Sequence, residues 1–204
     1  MSHTLLVVAH PRTDSLTGQA AARARKRLEA AGHTVDFLDL HAEDFDPRMT
    51  VADEPDWSDP HKTYSPEVRA HMRRIEAADT IVAVFPLWWY GLPAILKGWI
   101  DRTWNHGFAY GDPADRAPFS GKRMLWLALA GAGAEDLAKP GFDEAIDRQL
   151  RTGIAEYSGM KHATVGLVHG SIVKDGPGAE RVLADADTAL TDFLSVPALH
   201  TRTP

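Results

Sequence analysis

Residues 80–93 read Thr-Ile-Val-Ala-Val-Phe-Pro-Leu-Trp-Trp-Tyr-Gly-Leu-Pro, and a run with Ile95, Leu96, Trp99, Ile100 and Trp104 on one side follows. The stretch 80–85 is short, apolar and rich in branched side chains, the pattern of a strand covered on both faces. Pro93 opens a helix, where proline is tolerated because the first helical N–H has no partner. Strand, tight loop and helix in succession form the building unit of a parallel sheet. The uncharged run from Thr80 to Leu96 is shorter than a membrane span needs and is interrupted by Pro86, Gly91 and Pro93.

The same unit recurs on both sides of this block. Strands are expected at residues 5–9, 35–38, 80–85, 124–130 and 164–168, each bounded by charge, Gly or Pro. The first helix has Ser15 as its cap, a stripe of Leu16, Ala20, Ala24, Leu28 and Ala31, and Gly32 as its stop. Val68, Met72 and Ile75 mark a second helix. Ile146, Leu150, Ile154 and Tyr157 stripe a fourth, and Val182, Leu183, Ala186, Leu190 and Phe193 the last. Five strands alternating with five helices suit a doubly wound parallel sheet of flavodoxin-like type, order 2-1-3-4-5. One segment, residues 41–64, breaks the rhythm with Pro47, Pro55 and Pro60 and a strong excess of Asp and Glu; a loop of that length is expected to be a cover or a mobile excursion.

A chain of 204 residues fits a single domain, 1–204. It has no cysteine, which excludes a disulfide scaffold, a Cys-ligated metal and a thiol nucleophile. A net charge of −6 offers no broad basic face to nucleic acid. The ten histidines are scattered singly, without ligand spacing, so no metal is expected. The Gly-x-Ser-x-Gly elbow of hydrolases is absent, and Ser171 after Gly170 does not replace it. Met1-Ser2-His3-Thr4 leads into an apolar strand without a cationic leader, which reads as a cytoplasmic protein.

In open parallel sheets the ligand crevice lies beyond the carboxyl ends of the strands, where strand order reverses. That selects the loops 10–17, 86–93 and 131–133. The first ends at a helix start with Ser15 and Thr17 beside free N–H groups, a seat for a phosphate, although Ser15 as a simple cap explains the same pattern. In the second, Trp88, Trp89 and Tyr90 stand where loops normally run polar. They would stack on a planar heteroaromatic ring, or else plug the sheet edge or meet another subunit. Ala130, Gly131 and Gly133 after the fourth strand permit close backbone approach.

Three stretches together resemble the NAD(P)H-dependent quinone reductases of flavodoxin-like fold, including DT-diaphorase and the ancillary flavoproteins of glutathione-gated potassium efflux systems. They are residues 5–17, residues 45–50 (Phe-Asp-Pro-Arg-Met-Thr) and above all residues 78–111, which end His106-Gly-Phe-Ala-Tyr-Gly111; residues 157–170 resemble the family's last strand with its approach. The resemblance implies a homodimer with FMN or FAD in each subunit, FMN being the choice here. It also implies two-electron transfer from NAD(P)H to a quinone-like acceptor by ping-pong kinetics. By the same resemblance His10, Ser15, Leu16 and Thr17 would hold the phosphate and ribityl arm, and Pro86, Leu87, Trp88, Trp89 and Tyr90 would line the ring. His106 and Tyr110 are the candidate catalytic residues, with Phe108 and Tyr110 against the substrate, roofing it from the opposite subunit. The chain departs from the family at 129–132, Leu-Ala-Gly-Ala, where two hydroxyls are missing, and in 133–142, where the Tyr and His of the DT-diaphorase relay have no counterpart. Two other readings stay open: an ancillary subunit docked on a membrane potassium efflux transporter, and a flavodoxin-type electron carrier.

Overall fold

The computed structural model describes residues 2–59, 61–112, 118–160 and 162–196. Pro60, within the acidic excursion, and Lys161, within the stretch 157–170, lie outside the described residues. The strands are β1 (His3–Val8), β2 (Thr34–Asp39), β3 (Thr80–Leu87), β4 (Arg123–Ala130) and β5 (His162–Val168). All pair in parallel in the order β2-β1-β3-β4-β5, with Leu5 opposite Ile81, Val82 opposite Leu125 and Leu127 opposite Gly166.

The period-two alternation divides the strands between two cores. Leu5 and Val7 of β1, Ile81, Ala83 and Phe85 of β3, and Met124, Trp126 and Ala128 of β4 face one cluster. Leu6 and Val8, Val82 and Val84, and Leu125, Leu127 and Leu129 face the other. The first core is covered by α2 (Pro66–Ala77), α3 (Ala94–Thr103) and α5 (Phe142–Asp147), the second by α1 (Leu16–Ala30) and α6 (Gly176–Ser195); a short α4 (Ala134–Ala138) precedes α5. Among the described residues no helix is long and apolar enough to cross a membrane.

β3 continues two residues beyond the expected strand, through Pro86. The C=O of Val84 accepts the N–H of Ala9 at 3.1 Å. Pro86, two residues on, has no N–H to return to the Ala9 carbonyl, and the pairing of β1 with β3 ends there, after Val8 opposite Val84. Leu87 instead pairs with Ala130 of β4. This extension carries the aromatic turn clear of the sheet.

Three expected positions are corrected. Ala31 is an exposed C-cap outside α1, not part of its stripe. The fourth helix is α5 followed by a π-helical stretch, Arg148–Glu156. Ile146, Leu150 and Ile154 are spaced by four, which overshoots the 3.6-residue α turn, and the wider i→i+5 turn keeps them on one side. Tyr157, expected on the buried face, is exposed at its end.

The excursion 41–64 is anchored at several points. Phe45 and Tyr64 are buried in the first core. Gly98 of α3 has no room for a side chain, because a Cβ there would lie 2.2 Å from the Pro47 carbonyl. Asp53, fully buried, pairs with Arg102 at 2.8 Å, and Arg102 also bonds Glu67 at 2.7 Å and the carbonyl of Asp46.

Candidate functional site

Beyond the carboxyl ends of β1, β3 and β4 lies a cavity of about 780 Å³, within the size range of small-molecule and cofactor sites. Three segments wall it: the loop 10–17, the run Pro86–Trp89, and residues 171–174, with Leu129 and Gly131 between them. The loop 10–17 is folded tightly. Ser15 caps α1, its Oγ accepting the N–H of Gly18 at 3.1 Å and donating to the Arg12 carbonyl at 2.7 Å. A Cβ on Gly18 would lie 2.2 Å from the carbonyl oxygen of Thr13, so only glycine lets the loop close on the first turn. Since Ser15 serves Gly18, the N–H groups of Leu16 and Thr17 are the ones left without an intrahelical partner, at the positive end of the helix.

His10 forms the next part of the wall, its ring 5.9 Å from that of Trp88. Its Nδ1 lies 3.0 Å from the N–H nitrogen of Arg12 and 3.1 Å from the Arg12 carbonyl, accepting from the first in one tautomer, which leaves the proton on Nε2, and donating to the second in the other. Burial is the main cause that lowers the His10 pKa, with the charge of Arg12 adding to it, while hydrogen bonding to the Arg12 backbone and the charge of Asp14 act the other way. A neutral imidazole is therefore favoured at pH 7.

The aromatic turn is strained. Trp89 and Tyr90 have φ of 50° and 59°, and the N–H of Gly91 donates to the Trp88 carbonyl at 3.0 Å across them. Two consecutive positive φ values inside a two-residue loop describe a primed turn, normally built from Asn and Gly. Here the loop is built from the two side chains least suited to it. Trp89 is 97% exposed, whereas Tyr90 stacks on Phe142 with centroids 4.0 Å apart. The N–H groups of the two central residues have no acceptor inside such a turn. On its far side Leu87, Trp89, Tyr90, Ala130 and Gly131 line a second cavity of about 240 Å³.

Thus the structure brings His10, Ser15, Leu16, Thr17, Pro86, Leu87, Trp88, Trp89 and Gly131 to one cavity, and Tyr90 and Ala130 to the adjoining one. Gly133 is at neither; it caps α4, donating its N–H to Asp136 Oδ2 at 3.2 Å. His106, Phe108 and Tyr110 are also outside both. Phe108 is buried against Phe119, 5.3 Å between centroids, and so cannot present its ring to a substrate without leaving the core. His106 and Tyr110 belong to a separate aromatic cluster with Trp57.

Residues 171–174 are the part of the wall that the sequence reading missed. The N–H of Ser171 donates to the Ala130 carbonyl and that of Gly170 to Ala132, at 2.9 and 3.1 Å, which lays the chain after β5 across Gly131. A Cβ on Gly131 would meet the Ile172 side chain at 2.8 Å. The signal lies in the strand order: β5 also ends at this edge of the sheet, so the residues that follow it reach the same crevice.

The profile of the family described as flavodoxin-like fold matches residues 2–191. The chain belongs to this family. It is 43% identical over 171 residues, 84% of this chain and 85% of the relative, to the uncharacterized NAD(P)H oxidoreductase YcaK of Escherichia coli (strain K12). To the ribosyldihydronicotinamide dehydrogenase (quinone) of Mus musculus it is 33% identical over 154 residues, 67% of each chain. Among solved structures, the NAD(P)H:quinone oxidoreductase from Methanothermobacter marburgensis superposes with a TM-score of 0.87 at 27% identity, covering 98% of this chain and 100% of that one. The general stress protein 14 of Treponema denticola, solved in complex with FMN, shares the fold at a TM-score of 0.69 and 21% identity, covering 94% of this chain and 97% of that one.

Proposed function

We propose that this protein is a flavin-dependent NAD(P)H:quinone oxidoreductase. The observation that carries this reading is the pairing of a strained, solvent-facing aromatic turn with a helix start that still has two free amides, on opposite walls of one cavity. Strain of this kind persists where the surroundings enforce it and clusters at binding sites. The residues present fit a flat ring with a single phosphorylated arm, and for that reason FMN is favoured over FAD. The relatives are named as oxidoreductases and dehydrogenases, which supports an enzyme over a pure electron carrier.

The Leu16 and Thr17 amides and the Thr17 hydroxyl would hold the phosphate, with neutral His10 as a further donor. Pro86, Leu87, Trp88 and the indole of Trp89 would flank the ring. The outward amides of Trp89 and Tyr90 would face its polar edge and stabilise negative charge there, the preorganised electrostatic role that costs no rearrangement during reaction. A bound flavin supplies two-electron chemistry between a nicotinamide donor and a quinone acceptor. The chain's own tasks are to orient the ring, exclude water from one face and leave the other open to donor and acceptor in turn. We place the protein in the cytoplasm and as a homodimer in which the loop carrying His106 and Tyr110 reaches the open face of the partner's site.

An absorption spectrum with mass spectrometry of the released cofactor tests the reading. The expected result is a yellow protein releasing FMN, with quinone-dependent NAD(P)H oxidation giving parallel double-reciprocal lines. A colourless protein that fails to take up added FMN overturns it.

A further inference from the structure

Trp57 stands on the acidic excursion, 73% exposed. Its ring lies 5.1 Å from His106 and 5.5 Å from Tyr110, inclined at 42° and 44°, and those two rings are 5.7 Å apart at 49°. These are the offset, tilted arrangements that aromatic rings favour. Because His106 is nearly closed off and Phe108 is in the core, the rings this region presents to solvent are those of Trp57, the half-buried Tyr110 and, 6.4 Å from Tyr110, the exposed Tyr157.

The support beneath Trp57 is fixed. Four residues before it, Asp53 is locked to Arg102 at 2.8 Å. Immediately before it, the Asp56 carbonyl lies 3.2 Å from His106 Nδ1. The Tyr64 hydroxyl then ties the segment to the His106 carbonyl at 2.7 Å. With Tyr110 and Tyr157 beside it the indole is part of a contiguous exposed aromatic patch, the kind of surface that marks an interaction site. Its charge environment selects the cover: Asp56 and Asp59 flank it against the single charge of Lys62, whose ammonium is held at the carbonyls of Val51 and Glu54 and still acts on Asp56, so the rim is net acidic. An acidic rim around an indole face repels anions and accepts a neutral ring.

We propose that Trp57 is a specificity-determining residue for the acceptor: with Tyr110 it forms the wall that receives a neutral, flat, quinone-class ring over the site of a second copy of the chain. This rests on the reading above, in which the His106–Tyr110 loop crosses to the partner. The experiment compares wild type, Trp57→Ala and Trp57→Phe, each loaded with flavin. Steady-state rates are measured with 1,4-naphthoquinone and its 2-sulfonate, together with bound flavin, melting temperature, and binding of the redox-inert 2-naphthol by calorimetry. Wild type should prefer the neutral quinone. Trp57→Ala should raise the KM for it about tenfold, which is about 1.4 kcal/mol, and weaken 2-naphthol in parallel. Trp57→Phe should recover most of both, and bound flavin content should match wild type throughout.

An unchanged KM and unchanged 2-naphthol binding in soluble, flavin-loaded Trp57→Ala overturn the assignment. So does a loss of bound flavin or of melting temperature in Trp57→Ala that Trp57→Phe does not restore, which marks a structural role, or equal use of the sulfonated quinone by wild type. In each of these cases wild-type quinone reduction persists and the oxidoreductase reading stands. A wild type without flavin or without quinone reduction brings down both.

Discussion

The two irregular segments of this protein solve opposite problems. Residues 86–91 form a short turn whose aromatic side chains are exposed and whose backbone is forced into positive φ at Trp89 and Tyr90. Residues 41–64 are long and acidic, yet they are clamped by a buried ion pair, a glycine-sized contact at Gly98 and a tyrosine hydroxyl. Length therefore says little about freedom here; what matters is whether polar groups find partners inside. In the reading proposed above, the short turn leaves its amides facing outward for a ligand to meet and holds its strain for that purpose. The long excursion is satisfied within the chain because it serves as a platform.

The sharpest way to break that contrast is to remove the clamp. Arg102→Ala leaves Asp53 buried without its counter-charge, and loss of one partner of a buried pair costs about 3–5 kcal/mol. For a domain of this size that is a fall in melting temperature of about 10 °C or more, measured by calorimetry. The acid limb of stability gives a second reading of the clamp. Burial by itself would raise the Asp53 carboxyl, but the bonds from Arg102, Ser65 and Thr50 outweigh it and hold its pKa below the ordinary value. A depressed folded-state pKa means the stabilisation is complete above the unfolded value, near 4, and is lost as pH falls below it. Asp53→Asn should flatten that part of the melting-temperature profile; a profile that keeps the wild-type slope there would show that other carboxylates carry it.

The turn should respond in the opposite manner, losing ligand rather than fold. Gly91→Pro removes the N–H that closes the turn onto Trp88 and should weaken flavin binding roughly 100-fold, of the order expected when a preorganised donor set is lost. Gly91→Ala should be nearly silent, because its Cβ would meet atoms no closer than 3.9 Å. Equal effects of the two would mean that the closed turn is irrelevant to binding. On the opposite wall, Gly18→Ala forces a methyl against the Thr13 carbonyl. It should cost about 1–3 kcal/mol of stability, the range for overpacking, and also release the loop from the phosphate seat, read as a weaker FMN dissociation constant.

Much of this was legible in the sequence because it follows from periodicity. The alternation along β1, β3 and β4, the cap Ser15, and the site at the strand ends all report local rules. The missing parts depend on contacts between residues distant in sequence. The buried Asp53–Arg102 pair spans the excursion and α3, and an aspartate that will be buried looks the same as its solvated neighbours Glu54 and Asp56. Ser171 and Ile172 enter the site only because their segment pairs with the end of β4. Phe108 belongs to the same aromatic run as His106 and Tyr110, and only packing against Phe119 separates a core residue from a surface cluster.

The smallest expected effect discriminates most directly between strain that serves a ligand and strain left over from folding. Trp89 makes almost no contact with the rest of the chain, so replacing it removes little packing. Asn adopts positive φ at far lower cost than Trp, and Trp89→Asn should therefore raise stability by up to about 1 kcal/mol in the flavin-free protein, a shift of about 2–4 °C. In the flavin-loaded protein the gain should vanish or reverse, because the indole that the strain holds in place is lost from the ring's flank. A variant more stable in both states would mean that Trp89 gives the bound ring nothing, and that the contacts of Trp88 and Leu87 suffice.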